Sequence, residues 1–271
     1  MIKEFKKWLF WLIALQRRNI LGKCLVNIST SILSALDNKI NDANFSGEYR
    51  FLESLDNSKI NIVFDVGANV GIWSTKIKSL KSNIEIHAFE PVPQTFKLLE
   101  HQLSSFQSVK TNRIALSDKK GLISFNYYPM SSYLSSHFEN TLGVNSLKIE
   151  VETITGDEYC RDNSIHEIDF LKIDTEGFES NVLKGFNQML KENKIRIIQF
   201  EYGQMAIDSN FLLKDFFKFF EDRGYKVGKI FPKWIDFSPY TKEKENFVLS
   251  NYVAILVSDQ GIFNLQKKNR L

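Results

Sequence analysis

From residue 60 onward, short apolar runs alternate with stretches whose apolar residues recur every three or four positions. Ile60, Ile62, Val63 and Phe64 form a largely β-branched run that ends at a glycine-containing turn, which predicts a buried parallel strand. Over 70–80, Ile72, Trp73, Ile77 and Leu80 fall at helical spacing. A second strand is predicted over 84–89 and stops before Pro91 and Pro93; the helix over 95–103 aligns Phe96, Leu99 and Leu103 on one face. A third strand follows near 108–116, with an extra strand or hairpin over 121–127. The polar stretch 131–145 has no period and reads as a loop or lid. The fourth strand is predicted over 168–173, followed by a helix through Val182, Leu183 and Leu190, and the fifth strand over 195–200. An amphipathic helix over 211–220, a sixth strand over 224–227 and a last strand over 252–257 complete the pattern.

Strands separated by helices of roughly 10–15 residues imply βαβ units and a doubly wound, mostly parallel α/β sheet. Neither a repeat nor a Pro/Ser-rich linker interrupts residues 44–258. The simplest division is therefore a helical extension over 1–44 and one domain over 45–271.

Composition narrows the class without choosing it. A hydrophobic fraction of 43% and a charged fraction of 25% are ordinary for a globular protein, and 23 Phe residues provide bulk for a core. A net charge of +3 argues against a dedicated nucleic-acid binder. Cys24 and Cys160 are far apart, which excludes a disulfide framework and a cysteine-rich zinc site and fits a reducing cytoplasm. The extension departs from this average. Lys3, Lys6, Lys7, Arg17, Arg18 and Lys23 face one acid, Glu4, across the apolar run Trp8 to Leu15. That run is shorter than the roughly 20 residues a bilayer needs, and Gln16-Arg17-Arg18 stands where a signal peptide would have its small-residue cleavage site. A cytoplasmic location is expected, with residues 1–23 packing on protein, either the domain or a partner chain, or resting on an anionic membrane surface.

The chemistry begins at Asp65-Val66-Gly67-Ala68-Asn69-Val70-Gly71, between the first strand and the next helix. In an open α/β sheet this carboxyl edge is where ligands bind. Gly67 and Gly71 are expected to let backbone approach a ligand, and Asp65 to pair with an ammonium. Glu90, at the end of the second strand, is placed to accept hydrogen bonds from ribose hydroxyls. A nicotinamide cofactor would use the same logic, but Gly-Ala-Asn-Val-Gly lacks the G-x-G-x-x-G spacing that seats a diphosphate. A ligand carrying carboxylate, ammonium and nucleoside together, such as S-adenosylmethionine, suits the loop. Further along, Asp174 and Glu176 leave the fourth strand and Glu201 ends the fifth, whereas Asp169 starts its strand and belongs at the opposite edge. Converging carboxylates are costly unless catalysis, a hydrogen-bond network or a metal requires them.

These stretches, with Ala88-Phe89-Glu90-Pro91, Ile114-Ala115-Leu116-Ser117-Asp118, Asp169 to Gly177 and Val182-Leu183-Lys184-Gly185, resemble the FkbM-type S-adenosylmethionine-dependent methyltransferases. The resemblance covers roughly 45–257. It implies a class I methyltransferase, Rossmann-like fold: a seven-stranded sheet whose last strand is antiparallel. It also implies O-methylation of a sugar hydroxyl in a surface glycan or polysaccharide, or of a related metabolite. By the same resemblance Asp65, Gly67, Ala68, Asn69 and Gly71 would hold the methionine part, Glu90 and Pro91 the ribose, and the Ala115-Leu116 backbone the adenine. Thr155-Gly156-Asp157 departs from the family, which has Leu before Asp, and reads as a packing variation.

A sugar hydroxyl gains from a general base, for which Asp174 is the first candidate, with Glu176 and Glu201 orienting it or the acceptor. The other reading is a hard divalent metal held by Asp174, Glu176 and Glu201. Glu179 reads equally as a helix N-terminal acid. His137 lies in the polar loop within reach of an acceptor; His87 reads as structural, and His101 and His166 as surface positions. Trp234, Phe237 and Tyr240 fit either a sugar platform or a core cover. Two rival functions remain at this point: an NAD(P)-dependent sugar oxidoreductase or epimerase, and a non-catalytic Rossmann-like scaffold. The Tyr-x-x-x-Lys spacings at Tyr225/Lys229 and Tyr240/Lys244 fall too late in the chain to support the first.

Overall fold

A computed structural model describes residues 2–40, 42–56, 59–128, 147–259 and 261–262, and divides the chain into two compact units, Met1–Ile40 and Asn41–Leu271. The predicted lid over 131–145 and His137 within it lie outside the described residues.

The first unit is a helical hairpin of α1 (Ile2–Leu15) and α2 (Ile20–Leu36), bent by 113° at the break. The Asn19 side chain caps α2 by accepting from the Gly22 N–H at 2.9 Å. A Cβ on Gly22 would stand 1.8 Å from the Gln16 carbonyl oxygen, so the turn is closed by a residue without a side chain.

The second unit opens with α3 (Ala43–Ser46) and α4 (Glu48–Ser54). There follow β1 (Ile62–Val66), α5 (Ile72–Leu80), β2 (Glu85–Phe89), α6 (Pro93–Leu103), β3 (Val109–Asn112), β4 (Ala115–Leu116), β5 (Gly121–Tyr127) and β6 (Leu147–Ile154). The second half runs α7 (Gly156–Asp162), β7 (Ile168–Ile173), α8 (Glu179–Gly185), α9 (Asn187–Lys191), β8 (Ile195–Tyr202), α10 (Met205–Asp208), α11 (Leu213–Glu221), β9 (Tyr225–Ile230), β10 (Ile235–Asp236) and β11 (Ser250–Leu256).

The main sheet has the order β10-β9-β11-β8-β7-β1-β2-β3. Strands β3, β2, β1, β7 and β8 are mutually parallel, and β11 inserts antiparallel between β8 and β9. This is the expected doubly wound sheet with an antiparallel last strand. It is one strand wider than the expected seven because the two-residue β10 folds back on β9. The single strand expected near 108–116 divides in two. β3 stays in the main sheet, whereas β4 joins β6 and β5 in a separate sheet of three strands. Likewise the helix through Val182 to Leu190 divides into α8 and α9 at Phe186.

Two apolar clusters cover the two faces of the sheet. Alternation along β1 sends Phe64 and Val66 to one, and Val63 to the other. Asp65 therefore shares the face of Val63, where α5 contributes Trp73 and Ile77. Position 155 also acquires a reason. Thr155 Oγ caps α7 by accepting the Glu158 N–H at 3.1 Å, and Gly156 leaves room for the Phe186 ring, which a Cβ would meet at 2.3 Å.

Candidate functional site

The carboxyl edges of β1, β2 and β7, with β4 and β5, line an open-mouthed cavity of about 770 Å³, a volume that includes the solvent in its mouth. Its apolar lining is Val66, Phe89, Ile114, Leu116, Ile123, Phe125 and Phe178. The polar part of the lining is Gly67, Asn69, Glu90, Asp174, Thr175 and Glu176. Of the residues named from the sequence, Gly67, Asn69, Glu90, Pro91, Ala115, Leu116, Asp174 and Glu176 are brought to this one cavity.

Glu90 is held by backbone. Its Oε2 accepts from the Asn69 N–H at 3.1 Å and its Oε1 from the Val92 N–H at 2.9 Å. Burial pushes its carboxyl up to about 7, against the pull of those two donors. A carboxylate has about four acceptor positions, so two remain for donors in the cavity, such as a vicinal diol.

Asp65, Ala68 and Gly71 are not in the cavity lining and contact protein groups instead. Asp65 is fully buried; its Oδ2 accepts from Ser74 Oγ at 2.7 Å and its Oδ1 lies 3.6 Å from Lys172 Nζ. It is thus positioned to hold protein groups rather than a ligand ammonium. Ala68 is buried, with its N–H donating to the Phe89 carbonyl at 2.9 Å. Gly71 has φ +85° and faces α6, where a Cβ would come within 2.9 Å of Leu99 Cδ1. Even Gly67, which does line the cavity, is required by chain packing: at φ +81° its Cβ would stand 1.8 Å from the Asp174 carbonyl oxygen. The glycines let β7 and α6 approach the loop, more than they admit a ligand.

Lys172 is the residue that sequence reasoning missed. Strand register puts Asp65, Lys172 and Gln199 side by side on β1, β7 and β8. Lys172 Nζ lies 2.9 Å from Asp174 Oδ2 and 5.6 Å from the centre of the Trp73 ring. Burial pulls the ammonium's pKa down, but Asp174, Asp65 and Glu48 together outweigh it, so the group stays charged. Glu48 of α4 is also buried, and burial raises its carboxyl pKa. The available signal was a lysine within the apolar run Phe170-Leu171-Lys172-Ile173, since an unpaired ammonium is not tolerated in a buried strand.

Beyond β7 the chain turns sharply through Glu176, φ +52°, and Gly177, φ +99°. A left-handed glutamate costs of order 1 kcal/mol or more. It is held there by Glu179, whose Oε1 accepts from the Thr175 N–H, the Thr175 hydroxyl and the Gly177 N–H at 2.9, 3.0 and 3.2 Å. Glu179 is thus the clamp of the turn. Asp174, Glu176 and Glu201 each present an oxygen within 4.8 Å of the others, close enough for one divalent cation or a shared proton. Burial, then Asp174 and Glu179, push the Glu176 carboxyl up to about 8; burial and the neighbouring acids raise Glu201 well above the usual carboxylate range. Glu201 also lines a smaller cleft with Gly177, Met205 and Ala206.

The remaining candidates lie elsewhere. His87 is buried between Tyr159 Oη at 2.8 Å and Glu85 Oε1 at 3.0 Å, and His101 and His166 are exposed. Trp234 stacks on Phe231, Phe237 packs on the core, and the Tyr240 hydroxyl donates to Glu245. None of these aromatics lines the cavity. Asp169 sits at the far edge of the sheet, paired with Arg196 at 2.9 Å.

The sequence model of the methyltransferase FkbM domain matches residues 65–227. Hexuronic acid methyltransferase AglP of Haloferax volcanii is 33% identical over 156 residues, covering 57% of this chain and 62% of that protein. The 2-O-methyltransferase NoeI of Sinorhizobium fredii is 24% identical over 172 residues, covering 59% and 70%. The first of these alignments thus spans less than two thirds of its relative's length. Among solved structures, methyltransferase FkbM from Methylobacillus flagellatus KT superposes with a TM-score of 0.47 at 14% identity, covering 72% of this chain and 44% of that one.

Proposed function

Because this chain belongs to the FkbM methyltransferase family, we propose that it binds S-adenosylmethionine in the cavity beside Glu90 and methylates a hydroxyl of a sugar or glycan. The observation that carries the reading is the cavity's mixed lining, apolar and acidic together. A backbone-anchored, buried Glu90 lies beside an apolar slot, and the acids Asp174 and Glu176 line the same space.

The residues present fit that cofactor. Phe89, Ile114, Leu116 and Phe178 offer apolar surface to a purine, and Glu90 keeps acceptor positions for two ribose hydroxyls. Asn69, Gly67 and Thr175 add polar groups to the same lining. When bound, the cofactor supplies an electrophilic methyl group. The protein's part is to position the acceptor and receive its proton. Asp174, ion-paired to Lys172 at 2.9 Å, is the anchored anion of the acid cluster. We therefore shift proton acceptance to Glu176, whose carboxyl titrates at about 8 and so is a stronger base near neutral pH. Glu201 orients it or the acceptor hydroxyl.

A hexuronic acid and a 2-O position, named for the two relatives above, support a sugar hydroxyl as the acceptor class. Calorimetry with S-adenosylhomocysteine and, separately, with NAD(P) tests the donor. Binding of S-adenosylhomocysteine alone is expected, and binding of NAD(P) alone would overturn the proposal. A mass gain of one methyl group on a uronic acid or glycan incubated with enzyme and S-adenosylmethionine tests the acceptor.

A further inference from the structure

The α1–α2 hairpin carries apolar residues that the structure leaves uncovered. On α1, Phe5, Trp8, Leu9 and Leu12 follow the i, i+3, i+4, i+7 spacing of one helical face, while Lys3, Lys6 and Lys7 fall on the other side. Trp8 and Trp11 are both more than half exposed. On α2, Leu21, Leu25, Ile28, Ile32 and Leu36 form a ridge along the whole helix, and all five are exposed. The opposite side of α2 is Lys23, Asn27, Thr30, Ser31 and Ser34. Each helix thus has an apolar face that is mostly exposed, with Leu12 half-buried.

Charge identifies what covers it. Residues 1–40 hold seven Lys or Arg against Glu4 and Asp37, a net +5, whereas the whole chain is +3, leaving −2 for residues 41–271. Six of the seven lie on α1, in the turn at Arg17 and Arg18, and at the start of α2, with Lys39 beyond the end of α2, the pattern of a surface that meets anions beside an apolar layer. Exposed tryptophans suit the headgroup zone of a bilayer. Length favours lying on that surface over crossing it. No single described helix is long and apolar enough to cross a membrane, and the α1–α2 pair that together has the length is bent by 113° at its break. α1 has 14 residues and is about 21 Å long, shorter than the ~30 Å hydrocarbon core.

We propose that the α1–α2 hairpin is a peripheral anchor that docks this protein on an anionic membrane surface, with its apolar faces in the acyl boundary and its Lys and Arg side chains at lipid phosphates. Each such charge strengthens binding about fivefold. The anchor is independent of the methyl-transfer reading.

Flotation of the full chain with vesicles tests it. Binding is expected with equimolar phosphatidylcholine and phosphatidylglycerol, weakening in high salt, and is much weaker with phosphatidylcholine alone. The triple variant Lys3→Gln, Lys6→Gln, Lys7→Gln should lose about 100-fold in affinity for anionic vesicles. The variant Leu25→Ser with Ile28→Ser should lose binding while its circular dichroism and thermal midpoint stay unchanged. Failure to float with anionic vesicles, or equal flotation with neutral ones, overturns the proposal. So does a dimer in light scattering that Leu25→Ser with Ile28→Ser dissociates while vesicles never bind, because the faces would then cover a second copy.

Discussion

Replacing Lys172 by Met keeps most of the side chain's volume and removes the one ammonium shared by Asp65 and Asp174. At an effective dielectric of ~20, a unit-charge pair at the Asp65 separation of 3.6 Å attracts by about 5 kcal/mol, and one at the Asp174 separation of 2.9 Å by about 6 kcal/mol. The Asp174 share is discounted, because that side chain is 38% exposed and water screens it. The Met variant also escapes the several kcal/mol needed to bury an ammonium. What remains is a fully buried Asp65 without its cation, a loss of ~3–5 kcal/mol, a large part of the ~5–15 kcal/mol that holds a domain folded.

The loss depends on pH in a definite direction. Burial already raises the folded Asp65 carboxyl, and Lys172 pulls it back. Without Lys172 the folded value climbs further above the unfolded value of ~3.9. A raised carboxyl favours the fold at low pH, where both states are protonated, and loses that advantage as pH rises through the folded value. Urea denaturation should therefore find Lys172→Met close to wild type near pH 4 and progressively weaker towards pH 8. Adding Asp65→Asn should restore part of the deficit at pH 8. A deficit below about 1 kcal/mol at pH 8, or one equal at both pH values, would refute the buried-cation account.

The cavity yields further expectations. Glu90→Gln should weaken S-adenosylhomocysteine about 10–100-fold, the worth of hydrogen bonds to a charged acceptor. Glu90 titrates at about 7 and ligand hydroxyls favour its ionised form, so wild-type affinity should rise from pH 6 to pH 8. Calorimetry showing the same slope in the Gln variant would remove Glu90 from the site. Gly67→Ala, driven against the Asp174 carbonyl, should lower the thermal midpoint more than Gly71→Ala, which meets the movable tip of Leu99; the reverse order would contradict the packing described. Turnover should rise between pH 7 and pH 9 as Glu176, at about 8, loses its proton, and Glu176→Gln should flatten that rise. Prolonged dialysis against EDTA should leave turnover unchanged; loss restored by Mg²⁺ or Mn²⁺ would make Asp174, Glu176 and Glu201 metal ligands instead.

Much of the architecture was legible because it is written in neighbouring residues. The β-branched run before Asp65, the helical spacing after Gly71 and the breaks at Pro91 and Pro93 mark β1, α5 and the end of β2 without help from distant parts. The sequence also puts Gly67, Asn69, Glu90, Asp174 and Glu176 at strand ends on one edge, since a parallel sheet aligns its carboxyl termini. Other features were not local. Residues 108–116 read as one strand because nothing within them says that β4 will leave for a second sheet built on β6. A residue's partner was least accessible of all. Asp65 looked like a ligand acid because it ends a strand at a glycine loop, and Lys172 drew no role at all. Strand order makes β1 and β7 neighbours and register sets Asp65 against Lys172, which turns both inward. Sequence alone thus determined the elements, the loop and the edge on which the chemistry sits. The tertiary structure decided which of those acids face the cavity and which hold it together, because that depends on contacts between strands whose separation along the chain no local pattern records.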